Sequence, residues 1–331
     1  MLQLMDCTLR DGANVVGKGF NAEITDLVLK GLTEAKVPII EIGNAGGIGA
    51  YEVAGFTDAL TDEEYLQIAS KYLNSGSEIG MFLNATRFRE KYVDLAKEAG
   101  LHFLRVGADA GNVAITIEPV KAIKARGLKA YYSFMKAYVL TPAELAEEAK
   151  QLVEAGIDEL TIMDSAGTML PHEVAEYVKA LTAVTNVPIG FHGHNNLGLS
   201  AANALAAYES GATILDCGLM GMARSAGNLS TENCIAMMQR VGKFQELDLF
   251  GLLNFINDEL EPAMKKFDYH NPLSPLDLTL GFSGCHSSFV KTFKEVAKEK
   301  NVNLYELICK VSELNKDKPS KELMLEIADK L

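Results

Sequence analysis

The chain has 331 residues, of which 48% are hydrophobic, and its 44 acidic and 31 basic side chains give a formal net charge of −13. This acidity, without any run of Lys or Arg, excludes the basic surface with which nucleic-acid-binding proteins neutralise phosphates. The five cysteines are widely spaced and form no C-x-x-C pair, so neither a disulfide framework nor a cysteine-based zinc site is indicated.

The ends and the length of the chain suggest its general class. The first residues become charged too early for a signal peptide, and no apolar run approaches the roughly 18 residues of a membrane span. We therefore expect a cytoplasmic protein without a membrane partner. The length fits either two domains of about 150 residues or one α/β barrel with an appendage.

Short apolar runs, typical of strands, alternate with amphipathic stretches along most of the chain. Eight strands are predicted in this way, at residues 3–8, 38–42, 78–83, 103–106, 130–134, 159–163, 189–194 and 213–217. Apolar residues at every third or fourth position predict crossover helices at 22–35, 89–98, 142–154 and 172–183. Several helical stretches end near a glycine, which can adopt the left-handed conformation of a helix C-cap.

Eight βα units close naturally as a (β/α)8 TIM barrel, and an open doubly wound sheet is the alternative. The glycine-rich turn at 43–47 lacks G-x-G-x-x-G spacing, which disfavours a dinucleotide-binding fold. After about residue 242, helices are predicted at 247–266, 287–300, 304–314 and 321–331, around a loop at 268–286. We therefore expect an α/β protein with a catalytic barrel at 1–245 and a helical C-terminal region at 246–331, whose loop covers the barrel mouth.

Two histidines predict a metal site at the carboxyl ends of the strands, where barrels carry their reactive groups. His192 and His194 are two residues apart on the seventh predicted strand, so they point to the same face. Asp11 follows the first strand, and two imidazoles with one carboxylate can hold a divalent cation and leave positions for water and substrate. Asn228 could add a weaker carbonyl ligand. The alternative is a hydrogen-bonded, structural role for the histidines.

Arg10 stands next to Asp11 in the sequence and has two roles open to it. It could form an ion pair, either at the surface or inside the barrel. It could instead donate hydrogen bonds to an oxyanion that develops on a substrate chelated by the cation, because a fixed guanidinium can stabilise such a charge in advance of the reaction.

Four motifs together resemble the DRE-TIM metallolyases, a superfamily of aldolases, lyases and Claisen-type synthases. They are TLRDG at 8–12, MDSAGTMLP at 163–171, FHGHNNLGL at 191–199 and AGN at 226–228. The resemblance covers about residues 1–242 and the loop before Ser287. Within the superfamily, which also includes hydroxymethylglutaryl-CoA lyase and isopropylmalate synthase, the likeness is greatest to the 4-hydroxy-2-oxovalerate aldolases.

The resemblance implies both a cofactor and a reaction. It implies Mn²⁺ or Mg²⁺ held by Asp11, His192 and His194, with Arg10 stabilising an enolate and Ser165 near the substrate carboxylate. The implied reaction breaks or forms a C–C bond in a 4-hydroxy-2-oxoacid, so the expected small-molecule partners are a 2-oxoacid and an aldehyde. Because these aldolases pair with an aldehyde dehydrogenase through their tail, such a partner, or a homo-oligomer, could use the C-terminal helices.

Two positions depart from the aldolase pattern. Asn14 stands where those aldolases have a His that transfers a proton, and His286 stands where they have a Tyr. Asn cannot be a general base, whereas an imidazole titrates near neutral pH, so both residues are assigned to the catalytic site and His286 becomes the candidate base. The alternative for His286 is a solvent-exposed loop residue, and His270 is a weaker candidate of the same kind.

Three other functions remain open. Asn14 stands where acyl-CoA-dependent Claisen-type synthases of the isopropylmalate or citramalate type carry Gln, although the chain after the barrel is short for their regulatory domain. A non-catalytic barrel that binds a partner is disfavoured because the ligands Asp11, His192 and His194 are retained. A nonhaem iron oxygenase also uses two His and one carboxylate, but typically with H-x-D spacing on a β-sandwich.

Overall fold

The computed structural model describes residues 2–269 and 275–331, and its centre is a closed barrel of eight parallel strands. The strands are β1 (Gln3–Asp6), β2 (Ile39–Ile42), β3 (Glu78–Asn84), β4 (Phe103–Asp109), β5 (Lys129–Met135), β6 (Glu159–Asp164), β7 (Ile189–Gly193) and β8 (Ile214–Cys217). They follow one another around the barrel in chain order, and β8 pairs with β1 to close it. The predicted (β/α)8 barrel is confirmed, and the open sheet is excluded.

Helices surround the barrel, and local sequence sets their ends. They are α1 (Ala22–Glu34), α2 (Ala50–Val53), α3 (Asp62–Ala69), α4 (Glu90–Glu98), α5 (Ile117–Ala125), α6 (Pro142–Glu154), α7 (Pro171–Thr182), α8 (Ser200–Glu209) and α9 (Thr231–Arg240). At α6 the Thr141 side chain accepts a hydrogen bond from the Glu144 N–H, and the Glu144 carboxylate accepts one from the Thr141 N–H. This capping box satisfies N–H groups that the first turn would leave unpaired.

The C-terminal region is helical, as predicted, but its boundaries differ. It contains α10 (Leu249–Phe255), a π-helical segment (Ile256–Leu260), α11 (Glu261–Met264), α12 (Pro275–Ser283), α13 (Val290–Lys300), α14 (Leu304–Leu314) and α15 (Lys321–Ala328). The predicted helix at 247–266 is therefore interrupted by a π-helical turn. The loop expected at 268–286 contains α12, so that expectation is wrong for 275–283. His270 lies outside the described residues.

The hydrophobic core consists of one large cluster and smaller ones. The large cluster extends from Leu2 to Met264, so α10 and α11 pack on the barrel, and Phe255 lies against Gly31 of α1. A separate cluster, which includes Phe293, joins α12, α13, α14 and α15. The division of the chain at residue 245 stays a prediction. Within the described ranges, no helix combines the length and apolar character needed to cross a bilayer.

Candidate active site

A cavity of about 300 Å³ opens where the barrel strands end. Ligand pockets in proteins occupy about 300–1,000 Å³, so this cavity suits a small substrate. Its polar lining includes six residues singled out from the sequence, namely Arg10, Asp11, Ser165, His192, His194 and His286. The barrel therefore brings together side chains that are up to 276 positions apart in the chain.

Short hydrogen-bonded turns bring the ligand side chains to the end of the barrel. β1 ends at Asp6, two residues earlier than predicted, because the Cys7 carbonyl oxygen accepts hydrogen bonds from the N–H groups of Arg10 and Asp11. β7 ends at Gly193, and His194 continues in a β-bridge with Asn228. These two turns place Asp11 beside the histidines.

Asp11, His192 and His194 form a group whose ligand atoms lie within 4.8 Å of one another. The Asp11 Oδ2 atom is 3.4 Å from His192 Nε2 and 3.6 Å from His194 Nε2. All three residues are buried, and His192 Nε2 has no hydrogen-bond partner among the described residues. Because a buried nitrogen of this kind normally has a partner, the group fits a divalent cation.

The charge states of Asp11 and His194 also suit a cation. Burial would raise the pKa of Asp11, but Arg10 and the two imidazoles hold that pKa well below its usual range. Burial lowers the pKa of His194 to about 3. An ionised carboxylate and a neutral imidazole are the forms that coordinate metal ions.

Asn228 and Asn14 both hold Asp11 in place. The Asn228 Nδ2 atom donates to Asp11 Oδ2 at 2.9 Å, and the Asn228 Oδ1 atom is buried without a partner in the described part of the chain. Asn14 Nδ2 donates to the Asp11 carbonyl oxygen at 2.9 Å, while its Oδ1 atom accepts from Lys18 and Arg224. A ligand role for Asn228 and a catalytic role for Asn14 stay predictions.

Arg10 keeps one guanidinium nitrogen available. Its Nε atom donates to Glu41 Oε2 at 2.6 Å, and its Nη1 atom is 3.2 Å from Asp11 Oδ1. The Nη2 atom is buried and has no partner among the residues described, while the guanidinium carbon lies 5.1 Å from the centre of the Phe82 ring. Burial opposes the charge, but Glu41 and Asp11 outweigh it and raise the pKa of Arg10. A charged donor is therefore fixed at the cavity.

A buried network of charged side chains lies behind the candidate metal site, and it was not predicted from the sequence. Arg105 on β4 is fully buried; it contacts Glu41 at 2.8 Å and Asp216 at 2.5 Å. Asp216 Oδ2 in turn lies 3.0 Å from His192 Nδ1, an arrangement that orients the ring and leaves Nε2 facing Asp11. Burial opposes protonation, but Asp11 and Asp216 raise the pKa of His192. The sequence does contain one sign of this network, because a charged residue inside an otherwise apolar strand needs a buried partner. Glu41 in the segment IIEI at 39–42 is such a residue.

Ser165 and His286 complete the predicted set. The Ser165 Oγ atom accepts the backbone N–H of Lys136 at 2.9 Å, which leaves its own proton free to donate. His286 is half-buried on the loop after α12, with Nδ1 2.9 Å from Ser288 Oγ. Burial lowers the pKa of His286 to about 3, so the ring is neutral near pH 7. This lowered pKa makes the ring a weaker base than the free imidazole expected from the sequence, and its role as a base stays a prediction.

Fold and site together define a parallel βα barrel with a candidate metal site at the carboxyl ends of its strands. More particularly, the chain belongs to the HMGL-like family, whose profile matches residues 1–258. This match confirms the family that the four motifs indicated.

Two curated relatives align with this chain over all or nearly all of its length. A 4-hydroxy-2-oxovalerate aldolase from Geobacillus genomosp. 3 is 32% identical over 330 residues, which cover 100% of this chain and 97% of the relative. A protein of the same name from Pectobacterium atrosepticum is 31% identical and covers 98% of this chain and 94% of its own length. The predicted likeness to these aldolases is thereby confirmed.

Solved structures share the fold. The N-terminal domain of a protein from Bacteroides vulgatus superposes with a TM-score of 0.74 at 24% identity, covering 91% of this chain and 98% of that one. The carboxyl transferase domain of Rhizobium etli pyruvate carboxylase superposes with a TM-score of 0.77 at 17% identity, covering 100% of this chain and 60% of that one. At these identities the likeness shows the fold alone.

Proposed function

We propose that this protein is a divalent-metal-dependent aldolase that breaks or forms a C–C bond in a 4-hydroxy-2-oxoacid. Cleavage gives pyruvate and an aldehyde. The observation that carries the proposal is the group of Asp11, His192 and His194 beside an Arg10 whose Nη2 atom has no partner among the described residues. Full-length similarity to 4-hydroxy-2-oxovalerate aldolases supports this reaction class, and neither the Claisen-type synthase nor the non-catalytic barrel is favoured.

Asp11, His192 and His194 would hold the cation, for which we propose Mn²⁺ or Mg²⁺. A bound divalent cation supplies Lewis-acid polarisation of the substrate 2-oxo group. Asn228 and Asn14 would keep Asp11 in position, because both donate hydrogen bonds to it. Asp216 would do the same for His192.

Arg10 would stabilise the negative charge that develops at the C2 oxygen. Cleavage of the bond between C3 and C4 leaves its electron pair in an enolate of pyruvate, and the free Nη2 atom of Arg10 would donate to the enolate oxygen. Glu41 and the Phe82 ring already fix the guanidinium, so little reorganisation is needed at the moment of reaction.

His286 and Ser165 would handle the other polar groups of the substrate. The His286 ring would accept the C4 hydroxyl proton during cleavage, as the C4 oxygen becomes the aldehyde oxygen, and a proton would then be delivered to C3 of the enolate to give pyruvate; condensation runs both transfers in reverse. The Ser165 hydroxyl would donate to the substrate carboxylate. The amide of Asn14 cannot accept a proton at neutral pH, which leaves His286 as the proposed base.

Metal removal and isotope exchange test the proposal. Chelator-treated protein should neither cleave 4-hydroxy-2-oxovalerate nor exchange the methyl protons of pyruvate for deuterium in D2O, followed by NMR. Added Mn²⁺ or Mg²⁺ should restore both reactions in the wild type but not in an Asp11→Asn variant. Cleavage that survives chelation, or the absence of both reactions in metal-loaded protein, would contradict it.

The C-terminal helices suggest an additional role. We propose that they provide the docking surface for an aldehyde dehydrogenase or for a second copy of the chain. Size measurement of the purified protein in solution, alone and after truncation at residue 269, which keeps α10 and α11 on the barrel, separates a homo-oligomer from a monomer that needs another protein.

A further inference from the structure

Three cations that have no carboxylate partner among the described residues lie at one side of the cavity mouth. We call Lys18, Arg87 and Arg224 the rim cation cluster. Arg87 and Arg224 line the cavity, and Lys18 lies over the ring of Phe56, 5.5 Å from its centre, which is also part of the cavity wall. In residues 2–269 and 275–331, no ion pair involves any of these three side chains.

Arg87 is held by a single polar contact. It ends a 3-10 turn (Ala85–Arg87) after β3, and its Nη2 atom donates to the carbonyl oxygen of Gly46. Its Nε atom is buried and lacks a partner among the described residues. Burial lowers the pKa of Arg87, because no nearby anion compensates its charge. A half-buried guanidinium in this state would be stabilised by an anion from solution.

Lys18 and Arg224 are held close together although both are positive. Lys18 Nζ lies 3.3 Å and Arg224 Nη2 lies 3.4 Å from the same Asn14 Oδ1 atom, so the two nitrogens are less than about 7 Å apart. Burial and the charge of Arg224 lower the pKa of Lys18. Like charges at this distance repel each other, and an anion bound near both would attract each of them and offset the repulsion.

The other cations of the cavity are already compensated. Lys136 Nζ is 3.1 Å from Asp109 and 3.4 Å from Asp317, and Arg10 contacts Glu41 at 2.6 Å. The uncompensated positive charge of the cavity therefore belongs to the rim cation cluster.

The cluster lies across the barrel from Ser165. Lys18 and Arg87 follow β1 and β3, which flank β2, and Arg224 follows β8, the other neighbour of β1; Ser165 follows β6, which lies opposite β2 in the ring of eight strands. A substrate whose carboxylate contacts Ser165 and whose 2-oxo group faces Arg10 extends its other end toward the rim cation cluster. That end is the aldehyde portion.

We propose that the rim cation cluster binds an anionic group on the aldehyde portion, so that the preferred aldehyde carries a carboxylate or a phosphate. The inference rests on the proposed aldolase function. The inference concerns the aldehyde portion of the substrate. An uncharged aldehyde would leave the three cations of the cluster without an anionic partner among the described residues.

Paired aldehydes distinguish the two anions. Condensation with pyruvate is measured for succinate semialdehyde against butanal, and for glycolaldehyde phosphate against glycolaldehyde. We expect kcat/KM to be at least about 10-fold higher for the charged member of one pair or both, the effect of about one charge-assisted hydrogen bond. The preferred pair identifies carboxylate or phosphate as the group recognised. Equal rates within both pairs would overturn the inference.

Two variants and a matched control locate the recognition. Arg87→Met and Arg224→Met should each lower the ratio of kcat/KM for the charged to the neutral aldehyde by up to about 10-fold, toward a ratio of about 1. Arg89→Met removes the same charge from an exposed side chain two residues away, whose guanidinium contacts only the Phe88 carbonyl oxygen in the described structure, and should keep the wild-type ratio. An unchanged ratio in both cavity variants would contradict the proposal.

Deuterium exchange separates this inference from the function on which it rests. Exchange of the pyruvate methyl protons reports enolate formation and needs no aldehyde. Exchange in the wild type without a preference for charged aldehydes overturns the rim inference alone. Absence of both exchange and condensation in metal-loaded wild type overturns the aldolase proposal and this inference with it.

Discussion

The charges behind the candidate metal site and those at the cavity rim are arranged in opposite ways. Behind the site, Arg105 is fully buried between Glu41 and Asp216, and Glu41 also contacts Arg10. At the rim, Arg87 and its neighbours have no carboxylate partner in the described residues. The buried charges therefore neutralise one another and hold the site side chains in position, whereas the charges of the rim cation cluster remain available to a ligand.

Two buried glutamates show how strongly the partners matter. Glu41 and Glu159 are both fully buried. Burial raises the pKa of Glu159 to about 8, so this carboxyl group is mostly protonated at pH 7. Burial acts on Glu41 as well, but Arg10 and Arg105 outweigh it and lower its pKa. Glu41 therefore stays ionised and can hold both guanidinium groups.

Replacing Arg105 tests the buried charge network and should have the largest effect on stability. Arg105→Met leaves Glu41 and Asp216 without their shared cation, and breaking a buried ion pair in this way costs roughly 3–5 kcal/mol. We expect the free energy of unfolding, measured with urea, to fall by about that amount.

A surface arginine provides the control for this experiment. Arg126 pairs with Glu90 and Asp94, whose side chains are 68% and 49% exposed, and Arg126→Met should change the free energy of unfolding far less than Arg105→Met does. Equal losses in the Arg105→Met and Arg126→Met variants would show that the buried network does not hold the barrel interior together.

Replacing Arg10 tests whether the buried network serves the chemistry. Because its Nη2 atom is the free donor, Arg10→Met should lower kcat for 4-hydroxy-2-oxovalerate cleavage by roughly 100- to 1,000-fold, which is about 3–4 kcal/mol of barrier. Metal content, measured by elemental analysis, should stay the same. Unchanged turnover would remove Arg10 from the mechanism.

Asp216 tests the connection between the network and the metal group. Asp216→Asn replaces the carboxylate that orients His192, and loss of such a partner typically weakens metal binding by about 10- to 100-fold. Titration of Mn²⁺ into the chelator-treated protein measures the change. Asp94→Asn, at an exposed ion pair, should bind Mn²⁺ as the wild type does, and equal affinities in the two variants would contradict the orienting role.

The contact between the tail and the barrel should have the smallest effect. Asp317 lies between α14 and α15, is 36% exposed and reaches Lys136 at 3.4 Å. Asp317→Asn should lower the free energy of unfolding by about 0.2–1 kcal/mol, because Lys136 keeps Asp109 and exposed pairs contribute little. A loss above about 2 kcal/mol would show that this contact behaves like the buried network rather than like an exposed ion pair.

Much of the barrel followed from local pattern. The alternation of apolar runs and amphipathic stretches predicted all eight strands to within a few residues, since each strand needs an apolar run and each crossover helix an apolar face. The error at 275–283 arose because prolines and glycines indicated a loop, whereas the structure forms α12 there. Turn and helix propensities are weak compared with tertiary packing.

By itself, the sequence determined the strands, their order and the candidate ligands, because His192 and His194 share a strand face and Asp11 belongs to a recognisable motif. Only the tertiary structure decided which charges meet. Arg105 contacts Glu41 and Asp216 across 64 and 111 positions, and Arg224 reaches Asn14 across 210. These contacts depend on how the eight strands close into a ring. The periodicity of the sequence does not encode which inward-facing side chains then become neighbours.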